Sequence, residues 1–385
     1  MYTGLQRDRN TNGYRPAFFN DKIDVSYNAK PVLAADSAIG IGENPCIQFG
    51  FVADQPGALQ VVIRDNHGAT FGQSLAVGGW MRLIRVACLL AAAAAQVGAA
   101  PLRVDQVAPG VYVHIGQHKD VEEGYDGDIA NIGFVIGTEA VAVIDTGGSY
   151  AVGMALKEAL RAITALPVRY VINTHGHPDH VFGNAAFIGA GPPPRFIGHA
   201  GLAQAMASRG DAYLRNLKKQ LGDAADKSTL IPPGETVRDL RTLDLGGRKL
   251  ELKAWPDAHT NTDVTVFDAA SGTLWTGDLL FVERTPAVDG DVRGWLAAID
   301  ALKRVPAAIT IPGHGSVTRD KNRALERERA YLAALLQDVR GGIGKGESMT
   351  ETMETAAAAE RGRWQLFDAV NRRNVNLLYP KLEWE

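Results

Sequence analysis

The sequence predicts a small all-β module followed by a large α/β domain in which helices cover layered sheets. Short stretches of polar–apolar alternation, without helix-like periodicity, dominate the start of the chain. Later, apolar strand-like runs alternate with helix-period segments. An alanine-rich stretch separates the two patterns. We therefore divide the chain into residues 1–79, 80–100 and 101–385.

The composition of the chain is that of an ordinary globular protein. Its 385 residues are 46% hydrophobic and 22% charged, with a net charge of −3. This balance gives no bulk attraction to nucleic acid or to a membrane surface, so neither partner is expected. The two cysteines, Cys46 and Cys88, supply neither a disulfide framework nor a CxxC zinc site. Any bound metal must therefore be held mainly by His and Asp.

The pattern of residues 1–79 predicts a small antiparallel sandwich. Strand candidates lie at 22–27, 46–52 and 59–65, and Asn66-His67-Gly68 forms a turn into a return strand. Three or four strands enclose a thin core, which is typical of a module that is incomplete or needs a partner.

Four stretches of this module resemble the second half of the SoxYZ-like sulfur-compound carriers associated with quinoprotein dehydrogenases. They are Thr3–Gln6, Pro16–Phe19, Ile39–Pro45 and Val62–Gly68. The resemblance implies an immunoglobulin-like fold. The loaded cysteine of such carriers lies in a glycine-rich tail of the other half, which these residues do not match. Cys46 is therefore expected to be a buried apolar side chain.

Residues 81–100 have the three-part layout of a secretory signal peptide. A basic start at 81–85 leads into an apolar run at 86–95, and small residues follow at 97–100. The apolar run has about half of the ~20 residues that a membrane span requires, so no span is expected.

Two interpretations of this segment stay open. In the favoured one, translation starts at Met81, residues 1–80 belong to an upstream gene product, and the cysteine-free mature enzyme is periplasmic or secreted. In the other, the chain is a true fusion and the segment is an alanine-rich helix between domains.

Strands and helices alternate throughout residues 101–385. Strands are predicted at 110–115, 131–137, 141–144, 168–174, 195–198, 250–255, 263–267, 273–276 and 308–311. Helices are predicted at 151–165, 202–221, 295–305, 318–341 and 348–373. Such a mixture predicts layered sheets with helices outside.

Histidine and aspartate side chains follow several of these strands, where a layered α/β scaffold presents its chemistry. The stretch His175-Gly176-His177-Pro178-Asp179-His180 holds three imidazoles and a carboxylate, and its Gly and Pro let the loop turn them to one point. Later strands lead to His259, Asp278 and His314. Four such segments in one domain predict a metal centre.

Seven ligands suffice for two zinc ions. Three imidazoles suit one open tetrahedral site: His175, His177 and His259. A carboxylate and two imidazoles suit a second: Asp179, His180 and His314. Asp278 would bridge both, and a metal-bound hydroxide, its pKa lowered from ~15.7 toward ~7, would be the nucleophile. Asp145 is either a residue that orients a ligand histidine or an ordinary turn carboxylate.

This set of ligand segments makes residues 102–385 resemble the metallo-β-lactamase superfamily. The resemblance implies an αβ/βα four-layer sandwich with the metals at one edge. Asp278 resembles the glyoxalase II-type branch; class B β-lactamases usually carry Cys or Ser near that position, so antibiotic cleavage is not expected as the main role. The loop Arg284–Gly290, Trp295 and the tail Arg373–Glu385 resemble the quinoprotein relay system zinc metallohydrolases, which are related to SoxH.

These resemblances imply a metal-dependent hydrolase. The favoured reaction is cleavage of an acyl bond, a thioester or related sulfur ester, in a small-molecule or carrier-bound substrate of a periplasmic quinoprotein or sulfur-compound pathway. Asp179 would orient the nucleophile and shuttle its proton. Arg284 either contacts an anionic group of the substrate or is an ordinary solvated charge. A sulfur carrier or a quinoprotein dehydrogenase is the expected partner.

Two other functions stay open. Persulfide dioxygenases of the same superfamily use one iron held by two His and one Asp, and the carrier-like module is compatible with such an oxidoreductase. The presence of Asp179, His180 and His314 favours two metals, because a mononuclear site does not require them. The other alternative is a non-catalytic accessory binding protein, which the complete ligand set disfavours.

Overall fold

Two structural units make up the chain, Met1–Ala95 and Gln96–Glu385. Within them the computed structural model describes residues 20–36, 56–65, 70–77, 102–120, 125–189 and 192–384. Cys46, the predicted strand at 46–52, the turn at 66–68 and the signal-like segment at 81–100 lie outside the described residues.

The described part of the first unit is an antiparallel sheet. Its strands are β1 (Asn20–Tyr27), β2 (Lys30–Asp36), β3 (Gly57–Asp65) and β4 (Thr70–Val77), and their order in the sheet is β2-β1-β3-β4. Alternation in β1 buries Ile23, Val25 and Tyr27, as the pattern predicts. β2 was not predicted because its sequence does not alternate. It is folded back onto β1 by Asn28 and Ala29, whose φ angles of 49° and 63° suit a two-residue hairpin turn.

Seven described strands form the first sheet of the second unit. They are β5 (Asp105–Ala108), β6 (Val111–His114), β7 (Ile132–Ile136), β8 (Val141–Ile144), β9 (Val168–Ile172), β10 (Arg195–His199) and β11 (Glu235–Val237). Their order in the sheet follows their order in the chain. Pairing is antiparallel from β5 to β8 and parallel from β8 to β11.

Five described strands form the second sheet, again in chain order. They are β12 (Leu240–Asp244), β13 (Lys249–Ala254), β14 (Val264–Asp268), β15 (Thr273–Phe281) and β16 (Ile309–His314), of which only β15 and β16 pair in parallel. The helices are α1 (Tyr150–Ile163), α2 (Pro178–Val181), α3 (Leu202–Leu221), α4 (Val292–Leu302), α5 (Lys321–Lys345), α6 (Met349–Thr355) and α7 (Phe367–Leu382). In the described residues, no helix combines the length and apolar character needed to cross a bilayer.

The two sheets face each other across one apolar core. Val111 and Ile144 of the first sheet belong to the same buried cluster as Leu250 and Trp275 of the second. Helix α1 packs on the outer face of the first sheet, and α4, α5 and α7 pack on that of the second. The layers are therefore helix, sheet, sheet and helix, which confirms the predicted αβ/βα sandwich.

An ion pair at the rim of the second sheet also contacts the first sheet. Arg248 Nε donates to Asp268 Oδ1 over 3.1 Å, and Arg248 Nη1 donates to the carbonyl of Ile136 over 2.9 Å. Burial raises the pKa of the Asp268 carboxyl, but hydrogen bonds from Arg248 and Ser271 outweigh this effect and hold it below its usual value. The pair therefore stabilises the sandwich in the ionised form.

The C-terminal region differs from the predicted pair of helices. The segment predicted as one helix at 348–373 is divided into α6 and α7, with a 3-10 turn at Ala358–Arg363 between them. Ala357 and Leu366 have left-handed backbone, with φ of 53° and 58°, which an α-helix does not accommodate. Strands β5, β11 and β12 were also missed, because three to five residues give little periodicity.

Candidate metal centre

The ends of the strands bring the predicted ligand residues to one edge of the sandwich. β9 leads into the loop that begins at His175, and β13 leads toward His259. Asp278 and His314 differ from the expected loop positions, because they lie within β15 and at the end of β16. β15 continues past its predicted end at 276, since Gly277, with φ of 51°, introduces a register irregularity instead of ending the strand.

All seven predicted ligand residues lie in two adjacent groups. The first, here called the three-His site, comprises His175, His177 and His259. The second, here called the Asp–His site, comprises Asp179, His180 and His314. Donor atoms within each group lie within 4.8 Å of one another, and Asp278 is grouped with the three-His site.

The Asp278 carboxylate lies between the two groups. Its Oδ2 is 3.2 Å from His259 Nε2 and 3.7 Å from His175 Nε2. On the other side, its Oδ1 is 3.2 Å from His180 Nε2 and its Oδ2 is 3.4 Å from His314 Nε2. A carboxylate in this position can contact cations in both groups at once.

Several buried polar atoms at the centre lack a hydrogen-bond partner among the described residues. They are His175 Nε2, His180 Nε2 and Asp278 Oδ1. His180 Nε2 and Asp278 Oδ1 are only 3.2 Å apart, yet their geometry is not that of a hydrogen bond. Buried polar atoms are normally satisfied, so these atoms fit the ligand set of a bound cation.

The other nitrogen of every ligand imidazole lies close to a polar oxygen. The pairs are His175 Nδ1–Thr174 Oγ1 (3.1 Å), His177 Nε2–Asp289 Oδ2 (3.1 Å), His180 Nδ1–Asp145 Oδ2 (2.8 Å), His259 Nδ1–Ala287 O (2.8 Å) and His314 Nδ1–Ile129 O (2.7 Å). Carbonyl and carboxylate oxygens only accept, so four of these rings carry their proton on that nitrogen. Their second nitrogens face the centre, where a bound metal would take the place of any proton they carry.

Asp145 lies behind the candidate ligands and contacts both ends of the stretch that carries His175, His177, Asp179 and His180. Its Oδ1 accepts from the Thr174 backbone N–H over 2.8 Å, and its Oδ2 lies 2.8 Å from His180 Nδ1. The backbone of Asp145 is left-handed, with φ of 52°. Such strain costs about 1–2 kcal/mol and is typical of functional positions.

At the centre, the carboxylates and imidazoles shift one another's pKa values. Burial lowers the pKa of His180, but Asp278, Asp179 and Asp145 outweigh this effect and raise it well above its usual value. Burial raises the pKa of Asp278, but His314 and the other surrounding imidazoles hold it well below its usual value. Protonated imidazoles thus compensate the carboxylates, and bound cations would replace those protons.

Close backbone approach fixes the His314 loop. A Cβ at Gly313 would lie 1.9 Å from Asp278 Oδ1, so only glycine fits there. Asn131 Nδ2 donates to the carbonyls of Pro312 and Gly315 over 2.9 and 2.7 Å. The imidazole of His314 is therefore placed by its neighbours on both sides.

Aromatic rings form one wall of the centre. The Trp295 ring lies 5.1 Å from that of His259 at 70°, and Phe281 stacks on His314 at 4.9 Å and 16°. Trp295 is fully buried, and its Nε1 donates to the Leu279 carbonyl over 3.2 Å. This wall excludes water and so strengthens the electrostatic interactions inside the centre.

Arg284 lies next to the centre and is not a solvated loop charge. Its side chain is buried, with 8% of the residue exposed, and its Nη1 donates to the Lys119 carbonyl over 3.1 Å. Burial lowers the pKa of Arg284, although the negative charges of Asp179 and Asp278 oppose this effect. No carboxylate of the described residues forms an ion pair with it, so the guanidinium retains capacity for an anion.

A mainly apolar cavity of about 190 Å³ opens beside Asp179. It lies between α3 and the short helix α2, and its lining includes Tyr125, Ile129, Phe182, Tyr213 and Leu217. A group of a few carbon atoms would fit there with its polar end toward the metal ligands.

Asn374 and Asp289 support the centre in ways that the sequence did not indicate, although the tail and the loop that contain them were named from it. Asn374 Nδ2 donates to the Pro286 carbonyl over 2.7 Å, and its Oδ1 accepts from the Val288 N–H over 2.9 Å. The loop Arg284–Gly290 and the tail Arg373–Glu385 therefore contact each other, and Asp289 in that loop reaches His177. A buried polar residue on the apolar face of a helix, as at Asn374, is the signal that points to such a role.

Two family models match the chain. Residues 125–314 match the metallo-beta-lactamase superfamily, and residues 1–76 match the sulphur oxidation protein SoxZ. The chain is also similar to a linear primary-alkylsulfatase of Pseudomonas sp. (strain ATCC 19151), with 22% identity over 253 residues. That similarity covers 56% of this chain and 48% of the relative, so the chain spans about half the length of the curated protein.

Solved structures share the fold. The stereoselective inverting sec-alkylsulfatase Pisa1 from Pseudomonas sp. gives a TM-score of 0.58 at 18% identity, over 73% of this chain and 50% of that chain. A double mutant of the same sulfatase gives 0.57 at 19% identity over the same shares. These relatives are alkylsulfatases, and the glyoxalase II-like assignment stays a prediction. The second unit therefore contains a metallo-beta-lactamase superfamily domain, with the fold and the clustered His and Asp side chains of a metal-dependent hydrolase.

Proposed function

We propose that the chain is a two-metal hydrolase that cleaves an ester bond in an anionic substrate. The observation that carries the proposal is the position of Asp278, whose oxygens lie 3.2 to 3.7 Å from imidazole nitrogens of both sites. Zinc is the proposed metal, because imidazole with carboxylate is a donor set that it favours. An iron centre is the alternative.

When bound, the metal ions would polarise the scissile group and lower the pKa of a water molecule toward neutrality. The protein would supply orientation and proton transfer. Asp179 Oδ2 lies 3.3 Å from His314 Nε2 and Asp179 also lines the apolar cavity, so it can orient the attacking water and accept its proton. Arg284 would hold the negative charge of the substrate.

A sulfate ester is the substrate that we place first. Its hydrolysis consumes one water and yields an alcohol and hydrogen sulfate. Similarity to alkylsulfatases supports it, and so does Arg284, because a sulfate ester keeps a negative charge beside the bond that breaks. The short alkyl or aryl group would enter the cavity beside Asp179.

An acyl bond, as in a thioester or a related sulfur ester, is the second candidate. Its hydrolysis yields a carboxylic acid and a thiol. The position of Asp278, which resembles the glyoxalase II-type branch, favours this candidate.

The proposed setting is a sulfur-compound or quinoprotein pathway outside the cytoplasm. The match of residues 1–76 to SoxZ supports a sulfur carrier or a quinoprotein dehydrogenase as the partner, and a carrier-bound substrate would follow. Export depends on translation from Met81 and stays part of the proposal.

The test combines metal content with a substrate panel on the purified full chain. We expect about two zinc ions per chain and faster hydrolysis of a sulfate ester than of a thioester or neutral ester. Asp179→Asn should lower kcat by about 100-fold or more, because it removes a positioned base and the carboxylate of the Asp–His site. His199→Gln is the control: this histidine is outside both sites, and its Nδ1 accepts from the Gly201 N–H over 3.0 Å.

A preference for the thioester would replace the first candidate by the second. One iron and no zinc, or two bound zinc ions without hydrolysis of any ester, would overturn the proposal.

A further inference from the structure

His177 differs from the other ligand histidines in how its ring is held. Its Nδ1 lies 3.1 Å from His259 Nε2, on the side of the metal centre, and its Nε2 lies 3.1 Å from Asp289 Oδ2. The His177 side chain is 19% exposed, whereas the other four imidazoles are 4% exposed or less. Its partner is also a side chain from a distant loop, Asp289, which is partly buried with 22% of the side chain exposed.

Asp289 is in turn held by two helices. Arg209 of α3 forms an ion pair with the same Asp289 Oδ2, and Arg209 also donates to the Tyr213 hydroxyl over 3.3 Å. From α7, Lys381 Nζ donates to the carbonyls of Asp289 and Gly290 over 2.9 and 3.0 Å. Side chain and backbone of Asp289 are thus fixed by different parts of the chain.

A carboxylate at this position has a direct effect on a metal ligand. It accepts the Nε2 proton of His177, which leaves the lone pair on Nδ1, and it fixes the angle of the ring. Its negative charge also makes the imidazole a better electron donor. Arg209 keeps the carboxylate in place, because a charge-assisted hydrogen bond is stronger than a neutral one.

We propose that Asp289 is a positioning residue for His177, and that α3 and the C-terminal helix α7 set its position through Arg209 and Lys381. The inference rests on the proposed function only in so far as the three-His site binds a metal. It makes no use of the substrate. The proposal gives a role to the loop Arg284–Gly290 and the tail Arg373–Glu385, which the hydrolytic reaction alone does not explain.

The test is zinc affinity of the full chain, measured by competition with a chromogenic chelator. Asp289→Ala should weaken the binding of one of the two zinc ions by about 10- to 100-fold, the usual effect of removing a residue that hydrogen-bonds to a ligand histidine. Asp289→Asn should weaken it less, because its amide oxygen still accepts a hydrogen bond. Arg209→Met should also have a smaller effect, since it leaves the carboxylate in place.

Asp291→Asn is the matched control. Asp291 lies two residues further in the same loop, and its side chain accepts from the Arg293 and Gly294 N–H groups at the start of α4. It should lower stability without changing zinc affinity. A second readout is the visible spectrum of the Co²⁺-loaded protein, in which Asp289→Ala should alter the bands of one ion and leave those of the other.

Two results would overturn the inference. One is unchanged affinity for both zinc ions in Asp289→Ala, or in Asp289→Asn and Arg209→Met if the alanine variant does not fold. The other is an equal loss in Asp291→Asn, which would show that the loop acts only through stability. Wild-type protein that binds no zinc would instead count against the proposed function.

Discussion

Arg284 offers the sharpest test of substrate charge. Its guanidinium is buried beside Asp179 and Asp278, and one of its five N–H groups is used by the Lys119 carbonyl. Arg284→Gln removes the positive charge but keeps a donor for that carbonyl. A hydrogen bond to a charged group contributes about 1.5–3 kcal/mol, so kcat/KM for a sulfate ester should fall by about 10- to 150-fold. Arg284→Lys should lower kcat/KM for the sulfate ester less, because it keeps the positive charge and loses only the paired N–H donors of the guanidinium.

The assay compares a sulfate ester with a neutral ester of the same alcohol. The neutral ester should be hydrolysed at a similar rate by Arg284→Gln and by the wild type, because it has no charge for the guanidinium to pair with. Thermal unfolding controls for loss of the bond to Lys119. An equal loss of kcat/KM for both esters, in a variant of unchanged Tm, would refute the assignment of Arg284 to the anionic group.

Three further predictions concern stability and metal binding. Asp268→Asn should lower the free energy of unfolding by about 3 kcal/mol, since it leaves the partly buried charge of Arg248 without a carboxylate. Chemical denaturation should show a higher free energy of unfolding for the wild type than for the variant above about pH 4. This difference should vanish as pH falls through the lowered pKa of Asp268. Burial raises the pKa of Glu328 well above its usual value, so the unfolded chain loses this proton above about pH 4.3 while the folded chain keeps it. Glu328→Gln should therefore stabilise the protein by a margin that grows as pH rises above about 4.3, and a margin independent of pH would contradict this. Gly313→Ala places a Cβ 1.9 Å from Asp278 Oδ1 and should reduce bound zinc, measured by elemental analysis; full occupancy would show that the loop can shift.

The sequence was sufficient to predict which His and Asp residues meet at the candidate metal centre, because their spacing and residue types are local. The HxHxDH stretch and the strands before His259 and His314 are visible in a few neighbouring letters. The layered fold was predictable for the same reason, since strands such as β8 and helices such as α1 show their own periodicity.

Contacts between distant segments were not predictable. Asn374 and Lys381 act on a loop 88 and 92 residues earlier, and no local pattern indicates that pairing. The break between α6 and α7 has a similar cause, because Gln365 pairs with Arg284 in a parallel bridge and interrupts an otherwise helical pattern. Tertiary contacts overrode local propensity at both places.

Trp295 gives the centre an intrinsic optical signal. Its indole is fully buried and lies 5.1 Å from the His259 ring. A protonated imidazole quenches indole emission by a different amount from one that is coordinated to zinc. Fluorescence of the protein should therefore change as the three-His site fills, and Trp295→Phe would separate this signal from that of the five other tryptophans. Occupancy of one metal position could then be followed in real time without an added chromophore.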